Sequence, residues 1–160
     1  MRSAFVLAKL TSGEEYMRTF SQDYCLGIEG ERDIHACLEE AFDCKLTKTV
    51  DPKHRMDYEG PNCWIEIKTR LWTPQGKPVK STTYDTMLLP ITKVLFALEA
   101  TKPVYFVFKL SDGIFYCQFD KDKFSDYRLE NVVRKDRKET IAVRHIHIPV
   151  SDLDWIQKVV

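Results

Sequence analysis

Apolar positions along the chain switch between two periods, and the switches outline the elements. In the stretch Tyr24–Phe42 the residues Ile34, Leu38, Ala41 and Phe42 recur at helical spacing and predict a buried stripe on one face. A shorter helix through Phe20 is predicted before it, because Ser12-Gly13-Glu14-Glu15 has the spacing of a capping box. Pro90 suits the first turn of a further helix through Ala100, whose stripe is read as Ile91, Val94, Leu95 and Leu98. Lys121–Asp126 reads as a short helix, and Ser151-Asp152-Leu153-Asp154 as the start of another that docks Trp155, Ile156 and Val159. Alternation or dense β-branched and aromatic composition predicts strands over Lys45–Val50, Val104–Phe108, Ile114–Phe119 and Ile141–Ile148.

The most informative stretch is Arg55–Arg70. Arg55-Met56-Asp57-Tyr58 and Cys63-Trp64-Ile65-Glu66-Ile67-Lys68-Thr69-Arg70 are two extended runs joined by Glu59-Gly60-Pro61-Asn62, which predicts a hairpin. Strand alternation sends Ile65 and Ile67 to one face and Trp64, Glu66 and Lys68 to the other. A carboxylate and an ammonium group then share a face, and the turn brings Asp57 back towards Glu66. The chain has four acid-x-Lys triplets: Asp43-Cys44-Lys45, Asp51-Pro52-Lys53, Glu66-Ile67-Lys68 and Asp136-Arg137-Lys138. Only the third lies within an apolar, strand-like run with an acid one turn upstream. An ordinary surface ion pair on an edge strand is the plain alternative, and such pairs contribute at most about 1 kcal/mol.

Asp57 followed by Glu66-Ile67-Lys68 resembles the active-site motif of the PD-(D/E)XK nuclease superfamily, with Met56 where the motif's name has proline. The resemblance implies the restriction-endonuclease-like α/β fold, a central mixed β-sheet flanked by helices, formed as one domain over residues 1–160. It implies that Asp57, Glu66 and the backbone carbonyl of Ile67 hold Mg²⁺, with Mn²⁺ able to substitute, while Lys68 assists the attacking water. In this superfamily a preceding helix often adds an acid. Ile28-Glu29-Gly30-Glu31-Arg32 looks like that segment, and Glu31 falls at the edge of the apolar stripe whereas Glu29 falls on the far side. Lys93, near the start of the helix after the catalytic strand, corresponds to a position that often meets substrate phosphate, with an ordinary surface lysine as the alternative. Arg70 and the loop that follows, with Trp72, Lys77 and Lys80, are the candidate nucleic-acid contacts. Packing of Trp72 on the domain is the competing reading.

Composition narrows these readings without replacing them. With 160 residues and 44% hydrophobic positions, the chain has material for one full-sized core. No apolar run is long enough to span a bilayer, and the opening residues lack a secretory cleavage pattern, so an intracellular protein without a membrane partner is expected. Five cysteines without Cys-x-x-Cys spacing suggest reduced thiols rather than a zinc site. His145 and His147 share a strand face, but without acids or cysteines at matching positions they read as packed or exposed rather than as ligands. Basic and acidic residues number 24 each, so net charge announces no partner. Their distribution does more: Glu14–Asp43 carries nine acids and two bases, whereas Cys44–Lys80 carries eight bases and four acids.

The expectation is therefore a Mg²⁺-dependent nuclease acting on DNA ahead of RNA, and structure-selective, since a chain this short has little with which to read a long sequence. Cutting both strands of a duplex would call for a homodimer. The alternatives are an RNA endonuclease and a non-catalytic nucleic-acid-binding or assembly module that retains the fold.

Overall fold

A computed structural model describes residues 31–51, 53–133 and 142–158, with side chains described from Ile34 onwards. The capping box at Ser12, the helix it would start, the first turns of the Tyr24–Phe42 helix and the basic run Arg134–Lys138 lie outside the described residues.

The chain is mixed α/β. Helix α1 (Glu31–Phe42) is followed by β1 (Thr47–Lys48), β2 (Tyr58–Gly60), β3 (Cys63–Arg70), β4 (Thr86–Pro90), α2 (Ile91–Glu99), β5 (Val104–Leu110) and β6 (Gly113–Gln118). Helix α3 (Lys121–Ser125), β7 (Leu129–Val133), β8 (Ala142–Pro149), a 3₁₀ turn (Val150–Asp152) and β9 (Asp154–Lys158) complete it. Six strands form the main sheet in the order β1-β2-β3-β5-β6-β9, and β4-β8-β7 form a second sheet of three. Among the described residues only the central pair β3–β5 is parallel, the other pairings being antiparallel. Parallel neighbours cannot be joined by a tight turn. Residues 71–103 make the crossover here, and they carry β4 and α2 over one face of the main sheet.

Two apolar clusters hold the layers together. On one face Ile34, Leu38 and Ala41 of α1, joined by Cys37, pack on Tyr58, Ile65, Val107, Ile114 and Ile156. On the other face Phe106, Phe108 and Leu110 of β5 meet Val94 and Ala97 of α2 and Met87, Leu89, Ile146 and Ile148 of the second sheet. Strand β5 is apolar at every position but Lys109, because it is covered on both sides. Gly113 starts β6 where an added Cβ would run into the Trp155 ring and the Gln157 carbonyl, so the close approach of β9 requires a glycine there.

The hairpin forms with a tighter turn than the run of turn residues suggested. Gly60 pairs with Cys63, leaving Pro61 and Asn62 as the loop, and β2 begins at Tyr58, so Asp57 stands just outside the paired strand. The expected strand over Lys45–Val50 shrinks to Thr47–Lys48, whose partner among the described residues is the three-residue β2. Strands β4 and β7 carry no alternation strong enough to stand out, and pairing with β8 on both sides creates them.

Two expectations are overturned. The segment after Ser151 makes a 3₁₀ turn and then strand β9 instead of a helix. Antiparallel pairing with β6 and burial of Ile156 outweigh a start signal that Ser and Asp also supply to turns. In α2 the buried positions are Val94 and Ala97, while Leu95 and Leu98 are 54% and 47% exposed. The helix is turned so that positions 91, 94 and 97 join the cluster with the second sheet, while Lys93 and Phe96 meet Glu66 and Trp64 of β3. A single-helix pattern could not fix that rotation.

Candidate active site

Strand alternation sets the candidate residues of β3 on two faces. Cys63 and Ile65 are buried towards α1, while Trp64, Glu66 and Lys68 face the α2 side. Trp64 stacks on His54 and meets Phe96 of α2 edge-on, which closes the apolar end of this face. Glu66 follows two residues later with only 2% of its surface exposed.

A buried carboxylate needs compensation. Glu66 Oε1 receives it twice, from Lys68 Nζ at 2.8 Å and from Lys93 Nζ at 3.0 Å. Lys93 also donates to the Arg55 carbonyl, tying α2 to the segment that leads into β2. The lysine that could have been an ordinary surface group is thus part of the site, because the rotation of α2 that exposes Leu95 turns Lys93 inward. Glu66 Oε2, by contrast, is buried and has no hydrogen-bond partner among the described residues.

Asp57 completes the corner. Its backbone N–H donates to the Ile65 carbonyl at 3.0 Å and continues the ladder one step past β2. Its Oδ2 then accepts the Ile67 N–H at 2.8 Å, taking the place of the next ladder carbonyl. The amide and carbonyl of one strand residue point to the same edge, so the Ile67 carbonyl faces the edge that Asp57 occupies. Thr49 helps hold the segment, its N–H donating to the Asp57 carbonyl at 2.9 Å and its hydroxyl to the Met56 carbonyl at 2.7 Å. Met56, the residue that departs from the motif, is buried at 1% exposure and serves the core.

The electrostatics follow. Burial pushes the Glu66 carboxyl above the ordinary value of 4.5; Lys68 pulls it down, the Asp57 charge pushes it up, Lys93 pulls it down, and the net direction is upward. Repulsion from Asp57 means that the two carboxylates lie within Coulomb range of each other. Two repelling acids with a bare buried oxygen and a carbonyl on the same edge are a donor set suited to a hard divalent cation. The described residues hold no group of three or more His, Cys, Asp or Glu side chains able to share a metal, so any such ion would depend on two carboxylates and backbone or solvent oxygen.

The other candidates lie at varied distances from this corner. Arg70 ends β3 exposed, on the same face as Glu66 and Lys68. Trp72 is 61% exposed rather than packed on the domain, and Lys77 and Lys80 are exposed in the same loop. Trp72 and Pro78 bridge across that loop, and Thr73 exchanges hydrogen bonds with Lys77. The Glu31 side chain lies outside the described residues.

His145 and His147 are both buried. His147 Nε2 lies 2.7 Å from Glu130 Oε2, and its Nδ1 lies 2.7 Å from Thr86 Oγ1 and 3.2 Å from an Arg128 guanidinium nitrogen. A guanidinium only donates, so Nδ1 is the acceptor and the ring proton sits on Nε2, directed at Glu130. Arg128 was not singled out by sequence reasoning, because nothing in the linear pattern brings it beside β4.

Among the described residues no helix is long and apolar enough to cross a membrane. The four described cysteines, Cys37, Cys44, Cys63 and Cys117, form no disulfide. No protein-family model, curated protein or solved structure matches this chain.

Proposed function

We propose that the chain is a Mg²⁺-dependent nuclease of the restriction-endonuclease-like kind, hydrolysing phosphodiester bonds of DNA. One observation carries the reading: the bare, buried Glu66 Oε2 stands at a corner shared with the Asp57 carboxylate and two ammonium groups. Leaving a buried carboxylate oxygen without a partner costs free energy, and so does holding a second acid against it. A core has no use for that arrangement, whereas a cation site does.

In this reading Asp57, Glu66 and the Ile67 carbonyl would hold Mg²⁺ or Mn²⁺. The bound ion would supply Lewis-acid stabilisation of phosphoryl charge and a more acidic water. The chain's own groups do the rest. The Ile67 amide fixes Asp57 Oδ2 and so aims the carboxylate. Lys68 and Lys93 hold Glu66 by Oε1, leaving Oε2 without a partner among the described residues. As ammonium groups both lysines donate only, so Lys68 holds the oxygen of an attacking water and both steady charge building on the phosphate.

A second reading has its own observation. The two lysines already neutralise much of Glu66, as a structural ion-pair network would, which suits a non-catalytic nucleic-acid-binding module. One experiment separates the two. Supercoiled, single-stranded and branched DNA, and RNA, are incubated with Mg²⁺ or Mn²⁺ and with wild type, Lys68→Ala or Glu66→Gln, while the melting temperature of each is followed with and without metal. The nuclease reading expects cleavage and metal stabilisation in wild type, both lost in Glu66→Gln. Equal residual cleavage in all three proteins, with no metal effect on melting, removes it.

A further inference from the structure

Beyond the carboxylate corner, β3 runs into a cleft of about 480 Å³ lined by Arg70, Trp72, Tyr84, Asp85, Arg128 and His147. We propose that this cleft receives an unpaired nucleotide next to the scissile phosphate, so that the substrate is single-stranded or distorted DNA rather than regular duplex. The inference rests on the nuclease reading above and names its substrate class.

Four features carry it. Trp72 and Tyr84 are 61% and 47% exposed, and neither ring meets another among the described residues, which leaves two aromatic faces open at one mouth. Buried Val79 and Met87 form an apolar floor. Among the described lining residues, the guanidiniums of Arg70 and Arg128 stand with one carboxylate, Asp85, and an Arg128 guanidinium nitrogen lies 3.2 Å from His147 Nδ1. The position is continuous with the site, since Arg70 lies two residues past Lys68 on the same strand face, about 7 Å along. Rings that stack a base, an apolar floor and cations for the adjoining phosphate match what single-strand binders use. The volume fits a nucleotide, within the ~300–1,000 Å³ range of small-ligand pockets. A base still paired in a duplex cannot enter, because its faces are covered by stacking.

The test measures binding in EDTA, where no cleavage occurs, by anisotropy of labelled oligonucleotides: a single strand, the same strand with abasic sites, its blunt duplex and the matching RNA strand. Wild type is expected to bind the single strand about tenfold or more tighter than the abasic strand, as loss of base stacking implies. Trp72→Ala and Tyr84→Ala are each expected to remove most of that preference while leaving abasic binding and Mg²⁺ stabilisation unchanged. Arg128→Gln should weaken both strands and flatten the salt dependence. Equal affinity for normal and abasic strands, unchanged affinity in Trp72→Ala, or preference for the blunt duplex would overturn the cleft assignment alone if metal-dependent cleavage persists. Tighter binding of the RNA strand would overturn DNA as its substrate. No binding of any nucleic acid and no metal effect would overturn the nuclease reading with it.

Discussion

The two faces of β3 are built from adjacent residues and do opposite things. Cys63, Ile65 and Ile67 look towards α1, where they sit in an apolar cluster and the buried Gln157 accepts a hydrogen bond from the Cys37 thiol. Trp64, Glu66, Lys68 and Arg70 look towards α2 and the crossover, where a bare carboxylate oxygen, two lysines and an open cleft follow one another along the strand. Both faces share one backbone and one set of ladder hydrogen bonds, so the difference lies in what covers them. A long amphipathic helix seals the first face. The second is covered by α2 and the small sheet only in part, and exposure rises past Glu66, through Lys68 to Arg70. The first face supplies the rigidity that holds charged groups of the second in a costly arrangement.

Single substitutions should separate the two faces sharply. Glu66→Gln is nearly isosteric and is expected to lower cleavage by about a thousandfold or more, as loss of several kcal/mol of metal-assisted stabilisation implies; single-turnover assays with Mg²⁺ measure it, and urea melts should show the fold retained. Ile65→Ala, one residue earlier, is expected to do the reverse, costing about 2–5 kcal/mol of stability in urea melts for a fully buried side chain while cleavage by the folded fraction persists. If Ile65→Ala abolished cleavage in fully folded protein, the division of labour would fail. Asp57→Ala straddles the comparison, because it removes a charge from the site and orphans the Ile67 amide. A loss of about 1–2 kcal/mol is expected, and Asn at this position should restore stability without restoring cleavage.

The pH response sharpens the contrast further. The folded Glu66 carboxyl titrates above its ordinary 4.5, so the native state binds this proton more tightly than the unfolded chain does. Its contribution is fully present below that value and is lost as pH rises through the raised folded value. Metal-free wild type should therefore fall behind Glu66→Gln in melting temperature as pH climbs across that window. Added Mg²⁺ should reverse the trend, since a cation favours the ionised form and its stabilising effect grows with pH. At the smallest end, Leu95→Ser on the exposed side of α2 should change stability by no more than about 0.5 kcal/mol, which tests the observed rotation of that helix against the stripe its sequence suggests.

Period-two alternation in Cys63–Arg70, together with the Pro61-Asn62 turn, was enough to place Glu66 and Lys68 on one face and to bring Asp57 alongside, because a short hairpin leaves its register little freedom. The buried face of α1 was readable for a related reason, its stripe having no equally good competitor. Outside such local geometry the linear pattern lost its hold. Leu95 and Leu98 repeat at helical spacing as convincingly as Val94 and Ala97, and only docking against the second sheet chose between them. The same choice turned Lys93 onto Glu66. Strand β9 arose where a helix start was written, since pairing with β6 satisfies its backbone and buries Ile156. The cleft draws Arg70 from the end of β3, Trp72 and Tyr84 from the crossover, Arg128 from just before β7 and His147 from β8. Local periodicity determines which side of an element is apolar. The rotation of a helix, the partner of a strand and the meeting of distant cations depend on surfaces that exist only once the layers have packed.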